Sequence, residues 1–172
     1  MGVAGCGKSS LGVAVAQQLG LPIVEGDDFH SASSLAKMKR GVALNDADRA
    51  GWLKVLCTRL QDRPSGMVLT CSALKRTYRD QLRAAMPSLR FVFLDISSEN
   101  ATRRVAERAA SHFFSSKLVE SQFATLEEPS GEEGVLSVDA TLPLVDLQAR
   151  VCDWVIQSSP IIPSNKALQE SV

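Results

Sequence analysis

The sequence contains no long apolar run and few cysteines or histidines. No stretch approaches the ~20 consecutive apolar residues that a helix needs to cross a bilayer, and no basic-then-apolar segment opens the chain as a signal sequence would. The 4 cysteines include no Cys-x-x-Cys pair and have no neighbouring histidine, which argues against a zinc site and favours free thiols in a reducing compartment. We therefore expect a cytoplasmic protein without a membrane partner.

An excess of charge of either sign is also absent. The 19 basic and 19 acidic side chains cancel, so no global field favours nucleic acid, and an anionic ligand must be held by local groups. A chain of 172 residues, of which 45% are hydrophobic, is most simply one globular domain. We place this domain at residues 1–158 and expect 159–172, which contains Pro160 and Pro163, to be a flexible tail.

Helical apolar periods alternate with short apolar runs, a pattern typical of an α/β fold with a parallel sheet. Asp46 and Ser98 are the expected N-caps of two of the helices. The expected strands are at 21–25, 67–71, 89–96 and 135–139. The expected helices are one that ends before Gly20, one at 31–40, one that follows Asp46, and four more at 73–85, 98–108, 115–126 and 144–156.

The first ten residues, MGVAGCGKSS, contain the P-loop pattern G-x-x-x-x-G-K-[ST]. In such a loop the glycines let main-chain N–H groups surround phosphate oxygens at the positive end of a helix. Lys8 is then expected to reach the β- and γ-phosphates of ATP, and the Ser9 hydroxyl is expected to bind Mg²⁺. The predicted phosphate-binding residues of the loop are Gly2, Gly5, Cys6, Gly7, Lys8, Ser9 and Ser10.

A P-loop normally follows a β-strand, yet only Met1 precedes Gly2. The strand that feeds the loop is expected in the middle of the sheet, between those at 67–71 and 89–96. Its loss would leave two strand edges unpaired. We expect Met1 to be an internal methionine of a longer functional chain, and the short form to fold weakly or to have low activity.

An acidic cluster, EGDDFH, ends the strand at 21–25. Parallel α/β sheets bind ligands beyond the carboxyl ends of their strands, so Glu25, Asp27, Asp28 and His30 should share a rim with the P-loop. One carboxylate there can support Mg²⁺, which we assign to Glu25. Another can accept a proton from an attacking hydroxyl, which we assign to Asp27. Asp28 can be explained as a helix cap or a solvated loop residue.

Several stretches resemble the gluconokinase family in the same order along the chain: GVAGCGKSS, EGDDFH, LNDADR, CSALKRTYRD and SQFATLEEP. The resemblance runs from Gly2 to about Val155. It implies a three-layer P-loop kinase fold similar to that of shikimate and adenylate kinases, with helices on both faces of a parallel sheet and a short lid. It also implies transfer of the γ-phosphate of ATP to a hydroxyl of D-gluconate, giving 6-phosphogluconate, by a protein that can form homodimers.

Gluconate is an anion with a row of hydroxyls, so its site needs cations and hydrogen-bonding groups. Arg49, Lys75 and Arg79 are the expected cations, because the two N–H groups of arginine suit a carboxylate. Lys75 and Arg79 are one helical turn apart, so both should face the rim. By the same spacing, Arg76 and Asp80 should form a surface pair.

The remaining predicted contacts belong to the acceptor hydroxyls and to the lid. His30 and Gln122 are the expected hydroxyl partners, although His30 could instead begin a helix and bond to the backbone. Arg104 and Arg108 resemble lid arginines that neutralise the transferred phosphoryl group. The expected catalytic residues are Lys8, Asp27 and Arg108.

Two alternatives stay open beside gluconate phosphorylation. One is a kinase of another small hydroxy acid such as shikimate, which would not need the LNDADR segment. The other is a non-catalytic nucleotide-binding protein, which the missing strand favours. The retained functional residues argue against it, and these are Lys8, Ser9, Asp27, Arg49 and Arg108. Glu25 also stands where the family usually has aspartate, which keeps the charge but lengthens the reach to Mg²⁺.

Overall fold

The computed structural model describes residues 1–107 and 116–158, so the predicted lid residue Arg108 and the predicted tail 159–172 lie outside the described residues. Within these two ranges the strands are β1 (Ile23–Glu25), β2 (Val68–Thr70), β3 (Phe91–Asp95) and β4 (Val135–Asp139). The helices are α1 (Lys8–Leu19), α2 (Ala32–Lys39), α3 (Asp46–Gln61), α4 (Arg76–Ala85), α5 (Ser98–Glu107), α6 (Ser116–Thr125) and α7 (Leu144–Gln157). A short 3-10 helix, Gly26–Phe29, follows β1.

Helix α3 has a different N-cap from the one predicted. Asn45, not Asp46, caps this helix, because its side chain accepts a hydrogen bond from the N–H of Asp48. The Asp48 carboxylate in turn accepts from the N–H of Asn45 at 3.0 Å. This reciprocal capping box satisfies two main-chain donors that a single cap at Asp46 would leave open.

Two other helices also begin differently from the prediction. At α5 the hydroxyl of Ser97, not that of Ser98, accepts a hydrogen bond from the N–H of Asn100. Helix α4 begins at Arg76, three residues later than predicted. The delay arises because Ala73 has a φ of 43°, a left-handed conformation that cannot continue a helix.

The strands pair in parallel, two by two. β1 lies beside β2, with Ile23 opposite Val68, and β3 lies beside β4, with Phe91 opposite Val135. Parallel strands need crossover connections, which the helices between them provide. The predicted parallel α/β fold is therefore confirmed.

Helices cover both faces of the strands. On one face α1 packs against α7, and their core includes Val15 and Val151. On the other face α3 packs against α4, and their core includes Leu56 and Leu82. Each such buried side chain contributes about 1.5–3 kcal/mol by leaving water. This is the predicted three-layer arrangement, and no helix in the described part of the chain is long and apolar enough to cross a membrane.

Met1 lies between the two strand pairs. Its amine donates a hydrogen bond to the carbonyl oxygen of Val92 at 2.5 Å, and its own carbonyl oxygen accepts from the N–H of Leu94 at 3.0 Å. On the β2 side, the N–H of Gly2 donates to the carbonyl oxygen of Ser72 at 3.2 Å. An apolar groove of about 380 Å³ continues from Met1 between β2 and β3. This groove occupies the place expected for the strand before the P-loop, and no strand of the described residues fills it.

Candidate active site

The P-loop turns tightly into α1. Gly5 and Gly7 have φ values of 84° and 99°, which residues with a side chain rarely adopt. A Cβ at Gly5 would also lie 2.6 Å from the carbonyl oxygen of Ala101. Because α1 begins at Lys8, the positive end of its dipole lies at the loop and favours phosphate there. The residues of this loop that line a cavity are Ala4, Gly5, Gly7, Lys8, Ser9 and Ser10.

Gly2 and Cys6 form the base of the loop. Gly2 hydrogen-bonds to Ser72, and Cys6 is only 1% exposed and packs in the core. The structure thus places these two predicted phosphate-binding residues outside the cavity lining. Lys8 does line the cavity, and its Nζ donates to the carbonyl oxygen of Val3 at 3.0 Å. All four cysteines are free thiols, as predicted.

Ser9 and Glu25 meet at the edge of the P-loop. The Ser9 hydroxyl donates to Oε2 of Glu25 at 3.1 Å, and the Thr70 hydroxyl donates to the same oxygen. Proteins usually hold Mg²⁺ with one or two such oxygen ligands together with substrate phosphates. Residues 1–107 and 116–158 contain no cluster of three or more His, Cys, Asp or Glu side chains that could hold a metal without such help. The Ser9 and Glu25 oxygens therefore fit a Mg²⁺ ion that shares its coordination with a nucleotide.

The segment after β1 presents His30 to the cavity. The His30 side chain is 6% exposed, and its Nε2 lies 3.8 Å from Oδ1 of Asp27. Burial is the main cause that lowers the pKa of His30, so the ring is neutral at pH 7. Its Nδ1 is the one buried side-chain nitrogen or oxygen in the described residues without a hydrogen-bond partner. Because buried polar groups are normally paired, this atom is suited to a ligand hydroxyl.

Arg49 projects from α3 into the same cavity. It is 8% exposed, and its Nη1 donates to the carbonyl oxygen of Leu44 at 2.5 Å. The guanidinium carbon lies 5.9 Å from the centre of the Tyr78 ring. These contacts fix the guanidinium without neutralising it, so it can bind an anion.

Lys75 lies outside the cavity lining and is paired with a carboxylate. Its Nζ is 2.7 and 2.9 Å from the two carboxylate oxygens of Asp46, and the Tyr78 hydroxyl donates to the same carboxylate. The hydrogen bond from Lys75, followed by that from Tyr78, lowers the pKa of Asp46. The neighbouring Arg76 forms the predicted exposed pair with Asp80, with 3.9 Å between nitrogen and oxygen.

Arg79 also lies outside the cavity lining, although the prediction placed both Arg79 and Lys75 at the rim. Its side chain is 1% exposed and pairs with Glu132, and its Nη1 donates to the carbonyl oxygens of Ala73 and Leu74 at 3.0 Å each. The four-residue spacing misleads because α4 begins one residue after Lys75, which is only its N-cap. Arg79 is an internal structural cation in this protein.

Gln122 and Arg104 differ in their distance from the cavity. Gln122 lines it from α6, and its Oε1 accepts a hydrogen bond from the N–H of Ala4 in the P-loop at 2.6 Å. Arg104 is half-buried on α5 and lies outside the lining. Hydrogen bonds from Thr141 are the largest cause of the lowered pKa of Asp139, and the Arg104 charge lowers it further. The structure therefore brings Gln122, but not Arg104, to the cavity.

Three polar residues of the cavity were missed by the sequence analysis. Ser72 follows β2 at the rim, Lys39 is the last residue of α2, and Ser121 lies on α6 beside Gln122. Ser72 belongs to the CSALK motif, yet nothing in that motif marks the serine as a cavity residue. For Lys39 the only local signal was its place just before the helix stop at Gly41.

The cavity has a volume of about 660 Å³ and two chemically different walls. One wall is the P-loop with the start of α1. The other consists of Asp27, His30 and Arg49, which are suited to a small polar anion. A phosphate site and a polar acceptor site thus share one cavity in a three-layer α/β fold, and together they define a small P-loop kinase.

Comparison with known proteins narrows this class. A family model described as an AAA domain matches residues 1–129. The probable gluconokinase of Schizosaccharomyces pombe is 43% identical over 142 residues, which cover 77% of this chain and 73% of the relative. The thermoresistant gluconokinase of Escherichia coli K12 is 39% identical over 159 residues, 90% of each chain. A crystal structure of a gluconokinase from Sinorhizobium meliloti 1021 matches with a TM-score of 0.79 and 41% identity, over 92% of this chain and 95% of that one. The chain belongs to the gluconokinase family.

Proposed function

We propose that this chain transfers the γ-phosphoryl group of ATP to a hydroxyl of D-gluconate and forms 6-phospho-D-gluconate. The observation that carries the proposal is that one cavity is lined both by the P-loop and by Asp27, His30 and Arg49. Its volume of about 660 Å³ is within the range of small-molecule sites. The gluconokinase relatives support gluconate as the acceptor.

The P-loop side of the cavity binds the nucleotide. Lys8 and the start of α1 bind the β- and γ-phosphates. Ser9 and Glu25 would hold Mg²⁺, which when bound neutralises phosphate charge and orients the γ-phosphoryl group. Arg104 and Arg108 remain the predicted lid cations. Transfer of this kind depends mostly on positioning and charge neutralisation, which these groups supply.

The opposite wall binds the acceptor. Arg49 binds the gluconate carboxylate through paired N–H groups. The neutral His30 ring bonds one hydroxyl through Nδ1. Asp27 has a side chain that is 61% exposed, and its carboxylate takes the proton of the attacking gluconate hydroxyl. As the proton leaves, the hydroxyl oxygen bonds to the γ-phosphorus, and the bond between that phosphorus and the leaving ADP breaks. Lys75 remains a predicted substrate cation at the margin.

Three further predictions accompany this function. Gln122 remains a predicted hydroxyl partner, and its bond to Ala4 also ties it to the P-loop. A homodimer and a cytoplasmic location follow from the sequence resemblance and composition. Light scattering of the purified protein measures the oligomeric state, and cell fractionation measures the location.

Calorimetric titration tests the two halves of the cavity separately. Wild-type protein should bind a non-hydrolysable ATP analogue and, in its presence, D-gluconate. Arg49→Met should lose most of the gluconate affinity and keep that for the analogue. Lys54→Met is the matched control, since it removes an exposed cation of the same helix that does not line the cavity. If Arg49→Met binds gluconate as tightly as the wild type, Arg49 is not part of the gluconate site. If the wild type binds no gluconate, gluconate is not the substrate.

A further inference from the structure

A turn at residues 72–75, buried at Ala73 and Leu74, lies between β2 and α4 at the margin of the cavity. Ser72 lines the cavity, and the next residue, Ala73, has a φ of 43° in the left-handed region that residues with a Cβ disfavour. Ala73 is 1% exposed, so the protein around it, and not solvent, determines its conformation. The 72–75 turn is therefore held in a shape that its own sequence disfavours.

Arg79 supports this turn from within α4. Its Nη1 donates hydrogen bonds to the carbonyl oxygens of Ala73 and Leu74, both at 3.0 Å. The N–H of Glu127 also donates to the Leu74 oxygen, at 2.9 Å, so Arg79 shares that oxygen with the main chain and in addition bonds the Ala73 oxygen. With a side chain that is 1% exposed, Arg79 cannot exchange these bonds for water.

Glu132 orients Arg79. Its two carboxylate oxygens accept hydrogen bonds from Nε of Arg79 at 3.1 and 3.0 Å, and one of them also accepts from Nη2. Nη2 of Arg83 donates to Oε2 of Glu132 at 2.8 Å. Hydrogen bonds from Arg79 and then from Arg83 lower the pKa of Glu132 to about 2, so the carboxylate is charged at neutral pH. This forked pairing leaves Nη1 of Arg79 directed at the turn.

We propose that Arg79 is a positioning residue for phosphoryl transfer, because it holds the 72–75 turn in the shape that keeps Ser72 in the cavity wall. The turn also contacts the P-loop, since the Ser72 carbonyl oxygen accepts a hydrogen bond from the N–H of Gly2 at 3.2 Å. Neither Arg79 nor Glu132 lines the cavity, so their effect on turnover passes through the turn. The inference rests on the kinase function proposed above.

Arg79→Met tests this role, and Arg83→Met is the matched control. Each variant removes one guanidinium from Glu132 and leaves the other, but only Arg79→Met loses the bonds to the turn. We expect kcat for gluconate-dependent ADP release to fall about 10- to 100-fold in Arg79→Met, the scale of a small misplacement near the reacting groups. Arg83→Met should keep the wild-type kcat when both are assayed well below their Tm. Equal losses in the two variants would overturn the proposal.

Ala73→Gly separates positioning from general stability. Glycine adopts a φ of 43° without strain, so a glycine turn needs less support from Arg79. Ala73→Gly combined with Arg79→Met should therefore regain part of the lost kcat, although the pairing with Glu132 stays lost. Absence of any recovery would overturn the proposal.

A second variant covers the case in which Arg79→Met does not fold. Arg79→Lys keeps the charge beside Glu132, but one ammonium cannot bond that carboxylate and both carbonyl oxygens in the fork geometry. It should show the same loss of kcat and the same recovery with Ala73→Gly. An inactive wild type would refute the proposed function, whereas an active wild type with an unaffected Arg79 variant would refute only this inference.

Discussion

The imidazole of His30 lies face to face with the indole of Trp52, with ring centroids 4.8 Å apart and ring planes inclined by 9°. The same indole donates a hydrogen bond from Nε1 to the carbonyl oxygen of Gly26 at 2.7 Å. Helix α3 therefore holds both ends of the segment that carries Asp27. The acceptor wall of the cavity is built in advance, with the His30 ring fixed and its Nδ1 unpaired.

This packing predicts a pH-dependent loss of stability. Burial lowers the pKa of His30 below its ordinary value of 6.5, so near and below pH 6.5 the unfolded chain binds a proton that the folded chain does not. Stability from His30 is therefore complete above about pH 6.5 and falls as the pH drops toward the folded pKa, by at most about 1.4 kcal/mol per pH unit. Urea unfolding between pH 7.5 and 5 measures this slope.

The variant His30→Gln isolates the effect. In a His112→Gln background His30 is the only histidine, and adding His30→Gln should make the fall in stability between pH 6.5 and 5 shallower. The part of the fall that comes from the buried Met1 amine, whose pKa is also lowered, should remain. An identical slope with and without His30 would contradict the lowered pKa.

Asp27→Asn should slow turnover and leave nucleotide binding intact. Asparagine keeps the shape of the side chain but cannot accept the hydroxyl proton. We expect kcat to fall about 100-fold, the lower end for a general base, because the charge-neutralising groups remain. Initial rates with D-gluconate and titration with an ATP analogue measure the two effects. Asp28→Asn, at the next residue, is the control and should lose less kcat. Near-normal turnover of Asp27→Asn would show that Asp27 is not the base.

Glu25→Gln should raise the Mg²⁺ concentration needed for activity. The neutral amide removes the carboxylate charge beside Ser9, and Thr70→Val removes the hydroxyl that orients this carboxylate. We expect the half-saturating free Mg²⁺ to rise about tenfold in Thr70→Val and at least as much in Glu25→Gln. Activity at fixed ATP over a Mg²⁺ series measures both, with Glu25→Asp as the charge-keeping control. If Glu25→Gln needs the same free Mg²⁺ for half-maximal activity as the wild type, Glu25 does not hold the metal.

An apolar segment joined ahead of Met1 should stabilise the protein. The Met1 amine is buried against Val92, and burial lowers its pKa, so conversion to an amide removes a charge that the fold disfavours. Side chains of the added segment would fill the groove between β2 and β3. Five added Val and Ile residues should raise Tm by about 5 °C or more in a thermal melt. Five Gly and Ser residues are the control, and equal Tm values for the two extensions would contradict this use of the groove.

Local patterns predict much of the fold. The short apolar run VLSVD indicates a strand at 135–139, and β4 has these bounds. The P-loop spacing locates both the positive-φ Gly7 and the start of α1 at Lys8. Each of these features depends on residues that are close in sequence, so propensity and spacing suffice to find them.

Side-chain partners that are distant in sequence are beyond such patterns. Arg79 is buried by Glu132, 53 positions away, and spacing along α4 carries no sign of this carboxylate. The stacking of His30 on Trp52 likewise depends on how α3 packs against the segment after β1. Helical spacing predicts which face of its helix a side chain lies on, but tertiary packing determines which residues that side chain contacts.

ADP release in the presence of D-gluconate is the most direct test of gluconate phosphorylation by this chain. Purified protein is assayed with ATP and Mg²⁺ and with D-gluconate, shikimate or no acceptor, and Lys8→Met serves as the inactive blank. We expect ADP release with D-gluconate, little or none with shikimate or without acceptor, and one 6-phospho-D-gluconate formed for each ADP. ADP release that is independent of gluconate, or greater with shikimate, would contradict the proposed function.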